Sequence, residues 1–92
     1  MTMRLTLDRE SDAVYVYVTD RSERNTTRFV TVDRGVVRTR ALDENRLLDL
    51  DDTGEVLGIE LLNVSHGVVL AGLPFSDELA ALLREHGIGE LT

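Results

Sequence analysis

The chain has 92 residues, a formal net charge of −7 at pH 7, 4% aromatic residues and no cysteine. Its length predicts one domain, residues 1–92, with a modest core filled mainly by Val and Leu. The acidic balance argues against nucleic acid as a direct partner, because phosphate binding needs a basic surface, whereas it suits a basic protein partner. Without cysteine, disulfides and thiol chemistry are excluded.

The sequence favours a cytoplasmic protein. No apolar run in it has the length of a membrane span. The N-terminal residues lead directly into an alternating strand and lack the apolar core of a signal peptide. We therefore expect no membrane association.

The first strands are indicated by alternating apolar and polar residues. Residues 3–7 predict one strand and residues 13–18 a second, with the polar turn Asp8–Asp12 between them. The second strand is apolar on both faces, with Val14, Val16 and Val18 on one and Ala13, Tyr15 and Tyr17 on the other. Such a strand indicates a sheet covered on both sides. For the acidic residues of the turn, capping of main-chain amides is favoured over a metal or acid–base site.

Two further strands are predicted at residues 28–32 and 36–42, and the chain then enters the stretch around which it is organised, Leu47 to Ser65. Alternation on both sides of the polar turn Asp51–Gly54 predicts an antiparallel hairpin at the centre of the sheet. Its second strand is expected to bury Leu57, Ile59 and Leu61.

The opposite face of that second strand carries Gly58 and Glu60. A glycine there would let another side chain or backbone approach closely. A carboxylate there needs a partner, because an unpaired buried charge is costly. We expect Arg38 or Arg40 on a neighbouring strand to pair with Glu60. The alternative is a general acid or base with a raised pKa.

The same stretch contains a partial calcium motif. Its oxygen-bearing residues fall at the ligand positions of an EF-hand loop, with Asp49, Asp51, Thr53, Gly54 and Glu60 in register. Two features disagree: Thr53 stands where Asp or Asn is usual, and both flanks read as strands rather than helices. We favour the hairpin and keep Asp49, Asp51 and Glu60 as the metal-ligand candidates.

The last part of the chain changes pattern. Residues 66–75 predict a connector, with a short edge strand at residues 68–70 as an alternative. Residues 76–87 predict a helix, with Ser76 as its N-cap and Gly87 just beyond its end. Its apolar stripe consists of Leu79, Leu82 and Leu83. Because so short a helix is unstable alone, the stripe must pack on the sheet or on another subunit.

Two blocks of the sequence resemble a known family. Leu7 to Val16 and, more closely, Leu48 to Ser65 are similar to the opening and closing patterns of the domain of unknown function 2283 family, and together cover about a third of the chain. The resemblance implies a small, mostly antiparallel β fold and no assigned activity. Against the family pattern, residues 21–35 look like an insertion that adds a hairpin arm. Some members are described beside toxin-like genes, which implies an antitoxin-like role for those members.

These patterns predict an α+β fold, with a β-sheet core over residues 1–65, five or six antiparallel strands and one C-terminal helix. No phosphate-binding glycine loop or nucleophile elbow is found, so we expect neither a cofactor nor catalytic residues. We expect a non-enzymatic protein-interaction domain that forms a homodimer, because one short helix cannot cover both sheet faces. The candidate interface residues are Tyr15, Tyr17, Leu62, Leu79, Leu82 and Leu83. The alternatives are an antitoxin-like partner of a basic protein and a metal-assisted enzyme.

Overall fold

The structure is a computed structural model that describes residues 2–19 and 38–91. In chain order the strands are β1 (Thr2–Asp8), β2 (Ala13–Thr19), β3 (Arg38–Asp43), β4 (Arg46–Leu50), β5 (Val56–Leu62), β6 (Val68–Val69) and β7 (Glu90–Leu91). A 3-10 turn covers Val64–His66, and helix α1 covers Ser76–Glu85. The hairpin arm predicted at residues 21–35 lies outside the described residues.

Strands β1 to β5 form one antiparallel sheet in the order β1-β2-β5-β4-β3. With α1 this confirms the predicted α+β fold. The β4–β5 hairpin is confirmed, and β5 is the middle strand because it pairs with β2 on one side and β4 on the other. This arrangement brings the N-terminal hairpin beside the second half of the sequence.

One face of the sheet packs under α1 to form the core. Its largest fully buried side chains are Ile59, Leu61, Leu79, Leu83, Val14 and Val16. Ile59 and Leu61 confirm the predicted inward face of β5, although Leu57 is only half-buried. At about 25 cal/mol per Å² of apolar area removed from water, each such side chain contributes roughly 1.5–3 kcal/mol.

A single carboxylate organises the β4–β5 turn. Asp51 Oδ1 accepts hydrogen bonds from the Thr53 amide (2.8 Å), the Thr53 hydroxyl (2.6 Å) and the Glu55 amide (2.9 Å). Gly54 has φ 89°, a conformation that glycine adopts without strain. These local bonds explain why the predicted turn forms where it does.

The N-terminal turn is tied to the 3-10 turn after β5 through another aspartate. Asp8 Oδ1 accepts from the Glu10 amide (3.0 Å), as expected of a turn. Asp12, with φ 55°, accepts from the amide (3.0 Å) and the hydroxyl (2.7 Å) of Ser65. The favoured turn interpretation therefore accounts for both aspartates.

Helix α1 begins one residue earlier than predicted, because the predicted N-cap is already part of the helix. Ser76 is the first helical residue, and Phe75 holds the capping position with φ 57° and no side-chain cap. Its end is as predicted: Gly87 has φ 74°, the Gly87 amide donates to Arg84 O (3.1 Å), and the Ile88 amide donates to Leu83 O (2.9 Å). This Schellman arrangement turns the chain back, so that β7 pairs in parallel with β6.

Candidate interaction surface

The face of the sheet opposite α1 carries the tyrosines of β2. The strand registers place Tyr15 beside Glu60 and Tyr17 beside Gly58, with Asp49 on the far side of Gly58. We call the face that carries these five residues the tyrosine face. Its three central strands present half-buried side chains there, apart from the buried Gly58, and its edge strands present exposed ones.

A hydrogen-bonded triad lies at the centre of the tyrosine face. The Tyr15 hydroxyl donates to Asp49 Oδ2 (2.6 Å), and the Thr39 hydroxyl donates to Asp49 Oδ1 (2.7 Å). Both oxygens of the carboxylate therefore accept from other strands, one from the neighbouring β3 and one from β2, which lies beyond β5. Hydrogen bonds to an ionised acceptor are among the stronger ones, so the Tyr15 ring is fixed in one orientation across the sheet.

Gly58 makes this orientation possible. A Cβ built on Gly58 would overlap the Tyr15 hydroxyl and ring, and would lie 2.8 Å from Cε2. Gly58 does not have a positive φ, so its backbone does not require glycine. The predicted close approach is confirmed, and the approaching group is the Tyr15 side chain.

A second aromatic ring extends the surface toward β1. The Tyr17 ring meets Tyr15 edge to face, with centroids 4.9 Å apart and an interplanar angle of 65°. The Arg4 guanidinium carbon lies 5.3 Å from the centroid of the Tyr17 ring, within the range of a cation–π contact. The two rings form one continuous amphipathic patch.

The Tyr15 hydroxyl is held in its protonated form. Burial, followed by the hydrogen bond to Asp49 and the charges of Asp49 and Glu60, raises the pKa of Tyr15 far above its ordinary value of 10. Removing the proton would leave two anionic oxygens in contact. At neutral pH this hydroxyl therefore acts as a hydrogen-bond donor and not as a base.

The prediction that Glu60 pairs with Arg38 or Arg40 is wrong. Arg38 and Arg40 pair with Leu50 and Leu48, whose side chains point into the core. Both arginines therefore lie on the opposite face of the sheet from Glu60. Among the described residues, no hydrogen bond or ion pair of the Glu60 carboxylate is found, so a half-buried charge stands unpaired beside Tyr15.

The sequence profile of a family described as "Protein of unknown function (DUF2283)" matches residues 4–65. The chain belongs to the DUF2283 family. No curated protein and no solved structure matches it significantly. The DUF2283 match spans all of β2 to β5 and most of β1, and it includes every residue of the tyrosine face. Helix α1 and strands β6 and β7 lie beyond it.

The metal-ligand candidates are dispersed within this DUF2283 sheet. Asp49 is occupied by Tyr15 and Thr39, and Asp51 is turned into its own loop. Across residues 2–19 and 38–91, no three His, Asp or Glu side chains lie together in a way that would hold a metal ion. Strands and not helices flank the loop, which contradicts the EF-hand alternative.

The leucine candidates divide between core and surface. Leu79 and Leu83 are buried in the chain's own core, at 0% and 2% exposure, and Leu82 is half-buried. The helix stripe was expected to pack either on the sheet or on another subunit. In the structure, Leu79 and Leu83 pack on the chain's own sheet. Tyr15, Tyr17 and Leu62 lie on the other side of the sheet and are half-buried.

Some of these contacts escape sequence reasoning. Tyr15 and Asp49 are separated by 34 positions, and only the placement of β5 between β2 and β4 brings them together. Thr39 carries no signal of its own. The one local hint is Gly58, a glycine inside a strand.

The described part of the chain contains no helix with the length and apolar character needed to cross a membrane.

Proposed function

We propose that the protein is a cytoplasmic, non-enzymatic interaction domain that forms a homodimer through the tyrosine face. The observation that carries the proposal is the fixed pair Tyr15 and Tyr17, half-buried on the sheet face that α1 does not cover. Tyrosine is enriched at the centres of protein interfaces, since it offers a large rigid surface and a polar end. The triad around Asp49 fixes one of these rings before binding.

The size of the surface bounds the affinity. Five strands spaced by about 4.8 Å give a face roughly 20 Å wide. Strands of five to seven residues rising about 3.3 Å per residue give a length of roughly 20 Å. A face of this size lies at the small end of specific interfaces. We therefore expect a dimer in the micromolar range.

The test replaces an aromatic residue on each side of the molecule by arginine. Tyr17→Arg places a charge inside the proposed interface. Phe75→Arg is the control, because it places the same charge at an exposed aromatic residue next to α1. Loss of a central interface residue costs about 2 kcal/mol or more, equivalent to a roughly 30-fold weaker dimer. Sedimentation velocity should show a folded monomer for Tyr17→Arg and an unchanged dimer for Phe75→Arg. Equal behaviour of the two variants would contradict the proposal.

A second candidate function rests on Glu60. The Glu60 carboxylate has no hydrogen-bond or ion-pair partner within residues 2–19 and 38–91. In a chain of net charge −7, such a carboxylate suits a basic protein partner such as a toxin neutralised by an acidic antitoxin. The partner's Arg or Lys would pair with Glu60 and lie against the tyrosine rings. A small basic protein encoded beside this gene should bind at least tenfold more weakly to Glu60→Lys than to the natural chain. Unchanged binding would contradict this role.

A further inference from the structure

A cleft of about 280 Å³ lies at one end of the sheet, apart from the triad of the tyrosine face. It is bounded by the β3–β4 turn, the end of β5, the 3-10 turn and β6. Its apolar lining includes the half-buried Leu62 and the exposed Val69, beside the buried Leu61 and Val68. Asn45, Arg46 and His66 line its polar part. The volume is at the small end of the range for ligand sites.

Arg46 is held rigidly at this cleft. Its side chain is only 16% exposed, and Nε donates to Asp43 Oδ2 at 2.9 Å. Nη1 donates to Val69 O (3.1 Å) and also to Ala71 O. These bonds tie β6 and the segment that follows it to the β3–β4 hairpin. They leave the two N–H groups of Nη2 without a partner among the described residues.

An asparagine pair adds further donors. Asn63 Nδ2 donates to Asn45 Oδ1 at 2.7 Å. Within residues 2–19 and 38–91, the Nδ2 group of Asn45 has no acceptor. The main chain of Asn45 is fixed separately, because its carbonyl accepts from the Leu62 amide (2.9 Å) and its amide donates to Asp43 (2.9 Å). The Asn45 side chain is therefore available although its backbone is not.

The one acidic side chain that lines the cleft, Asp43, is already engaged. Asp43 Oδ1 takes the Asn45 amide, and Oδ2 takes Arg46. The Asn45 amide, with help from Arg46, holds the pKa of Asp43 below its ordinary value of 3.8, so this charge is already paired. Arg46 Nη2 and Asn45 Nδ2 thus stand as donors beside apolar side chains. A ligand that fits must bring acceptor oxygens and an apolar body.

We propose that this cleft binds a small organic acid. Its carboxylate accepts hydrogen bonds from Nη2 of Arg46 and Nδ2 of Asn45, and its apolar body lies on Leu62 and Val69, the accessible apolar residues of the lining. Charge-assisted bonds to a guanidinium select a carboxylate over a neutral amide of the same shape. The two donors of this site lie apart from the five residues of the tyrosine face, and the cleft reaches the same side of the sheet only at Leu62, so the proposal does not depend on the dimer.

The test uses isovalerate as the probe and isovaleramide as its neutral counterpart, followed in ¹⁵N–¹H correlation spectra. A ligand of this size is expected to bind with a Kd on the order of 1 mM. Isovalerate should shift the amides of Asn45 and residues 66–69, and isovaleramide should bind at least tenfold more weakly. Equal shifts by both compounds, or none by isovalerate, would overturn the proposal.

A variant pair separates the cleft from general charge effects. Asn45→Asp keeps the acceptor for Asn63 but replaces the unused donor by a carboxylate oxygen, and it should weaken isovalerate binding at least tenfold. Ala81→Asp adds the same charge on the exposed side of α1 and should bind as the natural chain does. Natural affinity in Asn45→Asp would also overturn the proposal. If this variant fails to fold, the comparison of isovalerate with isovaleramide in the natural chain decides.

Discussion

Replacing Gly58 by alanine tests whether the tyrosine face is organised by the Tyr15–Asp49 hydrogen bond. The new Cβ would occupy the space of the Tyr15 hydroxyl and ring. Tyr15 must then leave its position, which breaks the 2.6 Å bond to Asp49. The substitution is small, exposes no new polar group and requires no change in backbone conformation, so its effect reports on this one contact.

The expected cost follows from opposing contributions. A hydrogen bond to a charged group stabilises by about 1.5–3 kcal/mol, and crowding a packed site costs about 1–3 kcal/mol. These two costs are not added, because a Tyr15 ring that moves away loses the hydrogen bond but relieves the crowding. Alanine in a strand gains about 0.5–1 kcal/mol over glycine. We therefore expect Gly58→Ala to lower the free energy of unfolding by about 1–2 kcal/mol.

A double-mutant cycle isolates the contact. In a Tyr15→Ala background the added methyl group meets no ring, so Gly58→Ala should be neutral or slightly stabilising there. The coupling energy should reach about 1–3 kcal/mol, which is within the range for residues in contact. Urea unfolding at one fixed protein concentration measures all four chains. An equal cost of Gly58→Ala in both backgrounds would refute the argument.

Further predictions concern the core, the turn and metal binding. Ile59→Ala should lower the free energy of unfolding by about 2–5 kcal/mol, because it empties a fully buried site; a loss below about 1 kcal/mol in urea unfolding would contradict this. Bonds from the hydroxyl and amide of Thr53 and the amide of Glu55 hold the pKa of Asp51 below 3.8. Asp51 therefore stabilises the fold above that pH and loses this effect as the pH falls through its lower folded pKa. Thermal unfolding of Asp51→Asn should depend less on pH below about pH 4; an unchanged pH dependence would speak against it. Calcium should raise the melting temperature by no more than about 1–2 °C, because strands flank the loop. A calcium site filled at a hundred times its Kd would stabilise the fold by about 2.7 kcal/mol. A larger shift that a chelator reverses would therefore contradict the prediction and support a calcium-binding loop.

The sequence predicted those features that depend on local spacing. Alternation assigned Val14 to the core and Tyr15 to the opposite face, and the acidic turn with Gly54 located the β4–β5 hairpin. Such signals are local because strand period and turn conformation are set by neighbouring residues. Gly87 likewise marked the end of α1 correctly.

Features that depend on register between distant strands could not be predicted. Glu60 was assigned to Arg38 or Arg40 because both lie on a nearby strand, but a shift of one position changes the face of every side chain. The Tyr15–Asp49 bond requires the strand order as well as the register. Strand β7 has only two residues and carries no periodicity, so its pairing with β6 had no signal.

The measurement that most directly tests the proposed interface is a dilution series followed by ¹⁵N–¹H correlation spectra. If the homodimer uses the tyrosine face, dilution through the micromolar range should shift the amides of Tyr15, Tyr17, Gly58 and Glu60 together. The amides of α1 should stay in place, because the helix packs on the other side of the sheet. Shifts confined to α1 would contradict the account. So would spectra that do not change on dilution, together with a monomer mass at both high and low protein concentration.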